Sequence, residues 1–367
     1  MKNSKSVFFV IFVLMFAAAF LFVGPADAKV YKFKMQSTWP AGDFHNVDPQ
    51  IVVDYIHAMS GGRIKIDFMP AGTVVAAFEV LDAVHRGILD MGHSWPGYWV
   101  GKHPASGLFS SASGGPFGLS SEDFLAWMYE GGGLDLYNEL LQKELKLNVI
   151  AFPTFGETPE PQGWFNKPLK SWADLKGLKF RAAGMTAEVF KEAGATVVTL
   201  PGGEIVPALE KGVIDAAEYS DPSSDKAVGL HDVRKFYHLP GLHQPTGMME
   251  LLINKKKWDE LPNDLKEIVR VACEAATMRF TFKMLTHNAE DLKDLVKNHG
   301  VTVVKTPPDI LIEVLKAADK VLARKAKENA FFSKVLESQR AFAKTVVPYR
   351  QIGHPDYDLA ADYYYKK

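Results

Sequence analysis

Runs of alternating apolar and polar residues mark short strands along this chain, and stretches with helical periodicity follow most of them. Val30 to Thr38 reads as an opening strand, and Pro49 to Ser60 as a helix stopped by Gly61-Gly62. The combination from Arg63 to Ser94 then recurs from Thr196 to Ser220. Each copy reads as strand, Pro-containing turn with glycine, helix, Gly-x-x-Asp and a further strand. Gly87 to Asp90 closes the first helix and Gly212 to Asp215 the second. Two similar units this far apart predict two α/β lobes with a cleft between them.

Further strands are expected at Leu147–Phe152, Leu178–Arg181, Met248–Ile253 and Val301–Val304. Further helices are expected at Glu122–Gly131, Leu134–Leu145, Thr186–Ala193 and Phe331 to about Val347. Pro262 opens a periodic stretch that runs to about His299, long enough at about 1.5 Å per residue to brace both lobes. The fold class is therefore α/β, with a first lobe at 29–153 plus about 244–257 and a second lobe at 154–243. Residues 258–367 supply the bracing helix and C-terminal helices. Thr154 to Pro161 is the expected crossover, and the tail ends in Tyr363-Tyr364-Tyr365, either a docking surface or a frayed end.

The N-terminus changes the compartment. Lys2 and Lys5 precede an apolar run from Val7 to Val23, and Ala26-Asp27-Ala28 fits a small-residue cleavage site. This predicts a signal peptide of residues 1–28, cleaved after Ala28, and an exported, periplasmic mature chain. The single cysteine, Cys273, excludes an intramolecular disulfide and lipid attachment at a new N-terminal cysteine. A net charge of −1 gives no reason to expect nucleic acid as a partner.

Enzyme motifs are scarce. There is no HExxH, CxxC, P-loop or G-x-G-x-x-G after a strand. The informative residues stand at strand ends, where open α/β sheets bind ligands. His93-Ser94-Trp95 and Glu218-Tyr219-Ser220 end equivalent strands of the two repeats. Trp95, Tyr98 and Trp99 either line the cleft or pack in the core. Arg181 ends an apolar strand ahead of Ala182-Ala183-Gly184, where its planar fork suits a carboxylate. Glu218 and Glu250 each interrupt apolar surroundings and need a partner if buried. Arg181 can serve one, or a cation both, with Gln162 adding an amide oxygen.

These residues also resemble a family. Ser60-Gly61-Gly62-Arg63-Ile64, Met69-Pro70-Ala71-Gly72, Val84 to Gly92 and above all Trp172 to Arg181 are similar to the DctP-like extracytoplasmic solute-binding proteins of TRAP transporters. Gly92-His93, Tyr98 to Lys102, Pro116 to Leu119, Gly131 to Gly133 and Gly163 to Phe165 resemble the 2-oxoacid and lactate binders of that family. The resemblance implies a non-catalytic receptor that closes over a small monocarboxylate, such as pyruvate or lactate, and delivers it to TRAP membrane subunits. It implies Arg181 on the ligand carboxylate, and Gln162, Glu218, the Tyr219 carbonyl and Glu250 around a co-bound cation. Proline flanks Gln162, and the Gly-Trp-Phe segment is shortened, which leaves the register of that amide open. The charge count leans to calcium over sodium, because two glutamates, one arginine and one ligand carboxylate leave −2. A homodimer through the C-terminal helices is implied as well. A different organic acid, or a secreted carboxylate-processing hydrolase, are the rival readings.

Overall fold

The computed structural model describes residues 29–110 and 115–366. The signal-peptide reading falls on residues 1–28 and lies outside the described residues. Among the described residues, eleven strands are arranged in two sheets. The first contains β1 (Tyr31–Ser37), β2 (Ile64–Met69), β3 (Met91–Ser94), β4 (Val149–Gly156) and β10 (Met248–Asn254), in the order β2-β1-β3-β10-β4. The second contains β5 (Gly163–Phe165), β6 (Lys179–Arg181), β7 (Thr196–Val198), β8 (Ala216–Ala217), β9 (Phe236–Leu239) and β11 (Thr302–Lys305), in the order β11-β9-β5-β8-β6-β7.

The repeat seen in the sequence is a repeat of topology. In the first lobe β1 lies parallel between β2 and β3. In the second β6 lies parallel between β7 and β8. Each trio then receives an antiparallel neighbour from the other side of the crossing, β10 beside β3 and β5 beside β8.

The Gly-x-x-Asp element has a physical reason. Gly87 and Gly212 adopt φ of +75° and +68°, the left-handed conformation that ends a helix without a Cβ clash. Three residues on, the aspartate fastens the middle strand of its parallel trio. Asp90 Oδ2 accepts the Lys34 N–H at 2.9 Å, and the Asp90 N–H donates to the Lys34 carbonyl at 3.0 Å. Asp215 does the same with Lys179, at 3.0 and 2.7 Å.

The helix Asn263–His299 packs on the helix Val47–Met59 and β4 in the first lobe and on the helix Pro222–Ala227 in the second. Val269, Cys273 and Ala276 on this helix are buried in the core of the first lobe, and Leu295 in that of the second. Of two more helices, Ala330–Gly353 packs on helices of the first lobe, and Pro308–Glu328 packs on it and on the helix Thr186–Glu192 of the second. The terminal helix Tyr357–Tyr365 buries no residue. No helix among the described residues is long and apolar enough to cross a membrane.

Candidate functional site

The strand ends β3 and β8 face each other across one cavity. Trp39, His45, Trp95, Tyr98 and Met249 line it from the first lobe, and Arg181, Ala183, Glu218, Tyr219 and Ser220 from the second. Glu157, Glu160 and Gln244 enter from the two chain crossings. The cavity thus brings together Arg181, Trp95, Tyr98, Glu218 and Tyr219 of the residues expected from sequence.

Arg181 is 1 % exposed, deep enough that its charge must be matched by protein or ligand. It ends β6, ahead of the small residues Ala182-Ala183-Gly184. Nε and Nη2 donate to the Leu200 carbonyl at 3.0 and 2.8 Å. Nη1 donates to the Glu218 carbonyl and to Glu218 Oε2, both at 2.9 Å. These four bonds engage all but one of the five N–H groups. The fork expected to grip a carboxylate is therefore largely engaged within the protein, and one Nη2 N–H remains. Glu218 Oε1 accepts the Ala183 N–H at 2.7 Å.

Burial pushes Glu218 upward even beside Arg181. Burial pushes Glu160 well above the carboxylate range, reinforced by Glu218 and Glu157 and opposed by Arg181. Glu157 is raised to about 8, chiefly by burial. Three carboxyl groups thus line one enclosed space where Arg181 is already bonded to one of them.

Two expected ligands are elsewhere. Glu250 is buried, but its oxygens accept from Trp99 Nε1 at 2.8 Å and Tyr137 Oη at 2.6 Å, and it does not line the cavity. Successive residues of a strand face opposite ways, and here Met249 faces the cavity. A register shift between Met249 and Glu250 sits at that point of the β10–β4 pairing. Gln162 is fully buried just before β5, its amide atoms without a hydrogen-bond partner, and it too is absent from the lining.

The crossings supply what those two do not. Glu160 Oε1 accepts from Gln244 Nε2 at 2.7 Å, and Glu160 Oε2 stands 3.2 Å from His243 Nε2. Gln244 keeps its amide oxygen for a further partner. Neither Glu160 nor Gln244 is legible from sequence periodicity, because both lie in irregular segments. The available signal was their position: Glu157-Thr158-Pro159-Glu160 and His243-Gln244-Pro245 flank the two passages between lobes.

Across the same cavity the lobes are fastened together. Tyr219 Oη donates to Asp43 Oδ2, and His45 lies 3.2 Å from Asp43 Oδ1, 3.3 Å from Asp221 Oδ2 and 3.0 Å from Ser220 Oγ. Burial alone would push the His45 imidazole down, but the flanking Asp43 and Asp221 hold it protonated, up to about 10. The Ser220–His45–Asp43 alignment resembles a hydrolytic triad. An imidazolium cannot accept the serine proton, so near neutral pH the group acts as a charged clasp. Trp95 also crosses the gap, close against Gly184 of the second lobe.

This chain, with two lobes, a bracing helix and an arginine at the end of β6, matches a known family. A family profile described as bacterial extracellular solute-binding protein, family 7 (DctP), matches residues 38–329. The chain belongs to the DctP family of solute-binding proteins. A monocarboxylate 2-oxoacid-binding periplasmic protein from Nostoc is 33% identical over 327 residues, spanning 89% of this chain and 88% of the relative.

Solved structures agree with this assignment. A TRAP solute-binding protein from Bordetella bronchiseptica, a mixed-occupancy dimer with calcium and picolinate in one active site and the other apo, superposes with TM-score 0.84 at 26% identity, covering 92% of this chain and 98% of that one. One from Pseudoalteromonas atlantica with sodium and pyruvate gives TM-score 0.82 at 29% identity, covering 88% and 97%. One from Colwellia psychrerythraea with calcium and pyruvate gives 0.82 at 28%, with the same coverage. This DctP member is a receptor of the TRAP type, built to capture a solute.

Proposed function

We propose that the cavity captures a small 2-oxoacid monocarboxylate, such as pyruvate, together with a cation, and that the closed receptor presents it to TRAP membrane subunits. The observation that carries this reading is Arg181 beside Glu218 and Glu160 in one enclosed, aromatic-walled space. The free Nη2 N–H of Arg181 takes one ligand carboxylate oxygen, and Trp95 and Tyr98 pack on its carbon skeleton. Carboxylate, amide and carbonyl oxygens are hard donors suited to calcium or sodium. The proposed cation ligands are Glu218, the Tyr219 carbonyl, Glu160 and Gln244. The last two replace Gln162 and Glu250.

Charge favours calcium. Metal ligation requires Glu160 and Glu218 in their ionised forms; with Arg181 and a ligand carboxylate they leave −2, which a divalent ion neutralises and sodium does not. The sodium- and calcium-bound relatives show that the fold accepts either ion. Catalysis is not part of the proposal, because the triad-like histidine is held in its charged form.

The export reading, with cleavage after Ala28, stands as part of the same proposal, as do lobes dividing near residues 153 and 244. A homodimer through the C-terminal helices is supported by the exposed Ile352, Leu359, Tyr363 and Tyr365 and by the dimeric Bordetella relative.

Calorimetry with pyruvate, lactate and longer 2-oxoacids on chelator-treated protein, with calcium or sodium restored, tests the assignment. Cation-dependent binding without product is the expected result. Product formation from a carboxylate ester, or tight binding that ignores chelation, would overturn it.

A further inference from the structure

Apart from the cavity, one set of side chains among the described residues converges as metal ligands do. His231 and Asp232 lie in the short helix Leu230–Val233, and His299 is the last residue of the long helix. One ligand atom from each lies within 4.8 Å of the others. His231 Nε2 and Asp232 Oδ1 are 3.5 Å apart, already close to the spacing of about 3.3 Å that metal–ligand bonds of about 2.0 Å give in a tetrahedron. None of the three lines the cavity.

Several features suit an ion. The imidazole rings of His231 and His299 meet edge to face, their centroids 4.4 Å apart. His231 is 7 % exposed, so the cluster is shielded from water on that side. Asp294 Oδ2 stands 3.3 Å from His299 Nε2, the kind of carboxylate contact that orients a metal-bound imidazole.

The backbone is held from below, since Leu230 and Leu295 share one buried cluster. The C-terminal end of a 37-residue helix carries partial negative charge that favours a cation. The neighbouring lysines are occupied. Lys226 is paired with Asp291 and Asp294 at 2.7 and 2.6 Å, and Lys235 donates to the His299 carbonyl at 3.0 Å.

We propose that His231, Asp232 and His299 form a second, transition-metal site that ties the end of the long helix to the second lobe. Two imidazoles and one carboxylate are a borderline donor set, of the class that holds zinc with water in the fourth position. The hard-oxygen set in the cavity selects a different kind of ion, so the two sites are chemically separable.

The test is titration of untagged, chelator-stripped receptor with zinc chloride. His231 is buried and its removal risks the fold, so the variants are His299→Ala and Asp232→Asn, both at exposed or partly exposed positions. The expected result is one saturable zinc per chain, weakened about tenfold or more in either variant and unchanged in Glu218→Gln. Zinc binding that is equal in wild type and both variants, or that disappears in Glu218→Gln, overturns the site. Absence of saturable binding overturns it as well. Cavity ligands are not needed for any of these readings, so the outcome is independent of what the cavity binds.

Discussion

Glu160 Oε1 accepts a hydrogen bond from Gln244 Nε2 at 2.7 Å, which joins the outgoing and the returning passage between the lobes. An acidic group and an amide are thereby placed at the one region where both passages border the cavity.

If these two residues hold the cation, Glu160→Gln and Gln244→Ala lower calcium-dependent ligand affinity by about tenfold or more, at about 1.4 kcal/mol per decade. Gln162→Ala and Glu250→Gln leave the calcium dependence intact, and Glu250→Gln lowers thermal stability through its contacts to Trp99 and Tyr137. Calorimetry at several calcium concentrations, with melting curves alongside, separates the two pairs. A loss of calcium dependence in the second pair but not the first returns the site to Gln162 and Glu250.

Arg181→Ala removes one charged hydrogen bond to the ligand, worth roughly 1.5–3 kcal/mol, so affinity falls by about 10- to 100-fold. Arg181→Lys is also poor, because one ammonium cannot hold Leu200, Glu218 and the ligand together. Ligand titrations on both variants check this. Wild-type affinity in Arg181→Lys would remove the guanidinium from the site.

Gly184 sits at φ +61°, and a Cβ there would lie 2.6 Å from Trp95 Cη2. Gly184→Ala therefore strains the backbone by roughly 1–2 kcal/mol and props the lobes apart. Solution scattering is expected to report an expanded particle even with ligand and calcium present. Adding Trp95→Ala relieves the clash and restores compaction. An unchanged scattering profile in the single variant would show that the lobes close without this contact.

The chelated receptor is expected to lose stability as pH rises. Burial raises Glu157 to about 8, and Asp225 and Glu250 to about 7. Groups raised in the folded state stabilise it below their ordinary values, and that contribution is lost as pH climbs through the raised ones. Melting temperatures without cation fall between pH 5 and pH 8.5, and calcium raises them more at the upper end. A flat or rising curve without calcium contradicts the buried-acid account.

Sequence periodicity made most of the framework legible. The two repeats, the capped helices and the long helix depend on local patterns, and they appear within a few residues of where the pattern puts them. β9 was missed, since Phe236 to Leu239 is short and lacks alternation. The site was legible where strand ends carried it: Arg181 and Glu218 are set by β6 and β8. A glutamate inside an apolar run announced its burial, but not its direction. For Glu250 that direction turns on a register irregularity that no residue type signals. Glu160 and Gln244 belong to irregular backbone, where no period says which side chain points inward.

The long helix carries one more consequence. It is anchored to the helix Val47–Met59 and β4 in one lobe and to Pro222–Ala227 in the other. A rod seated in both cores suits an axle, about which lobes can swing without sliding apart. On the proposed function, a membrane partner then meets two outlines of the same particle, empty and loaded, and the acid inside is out of reach, so occupancy is announced by contour alone.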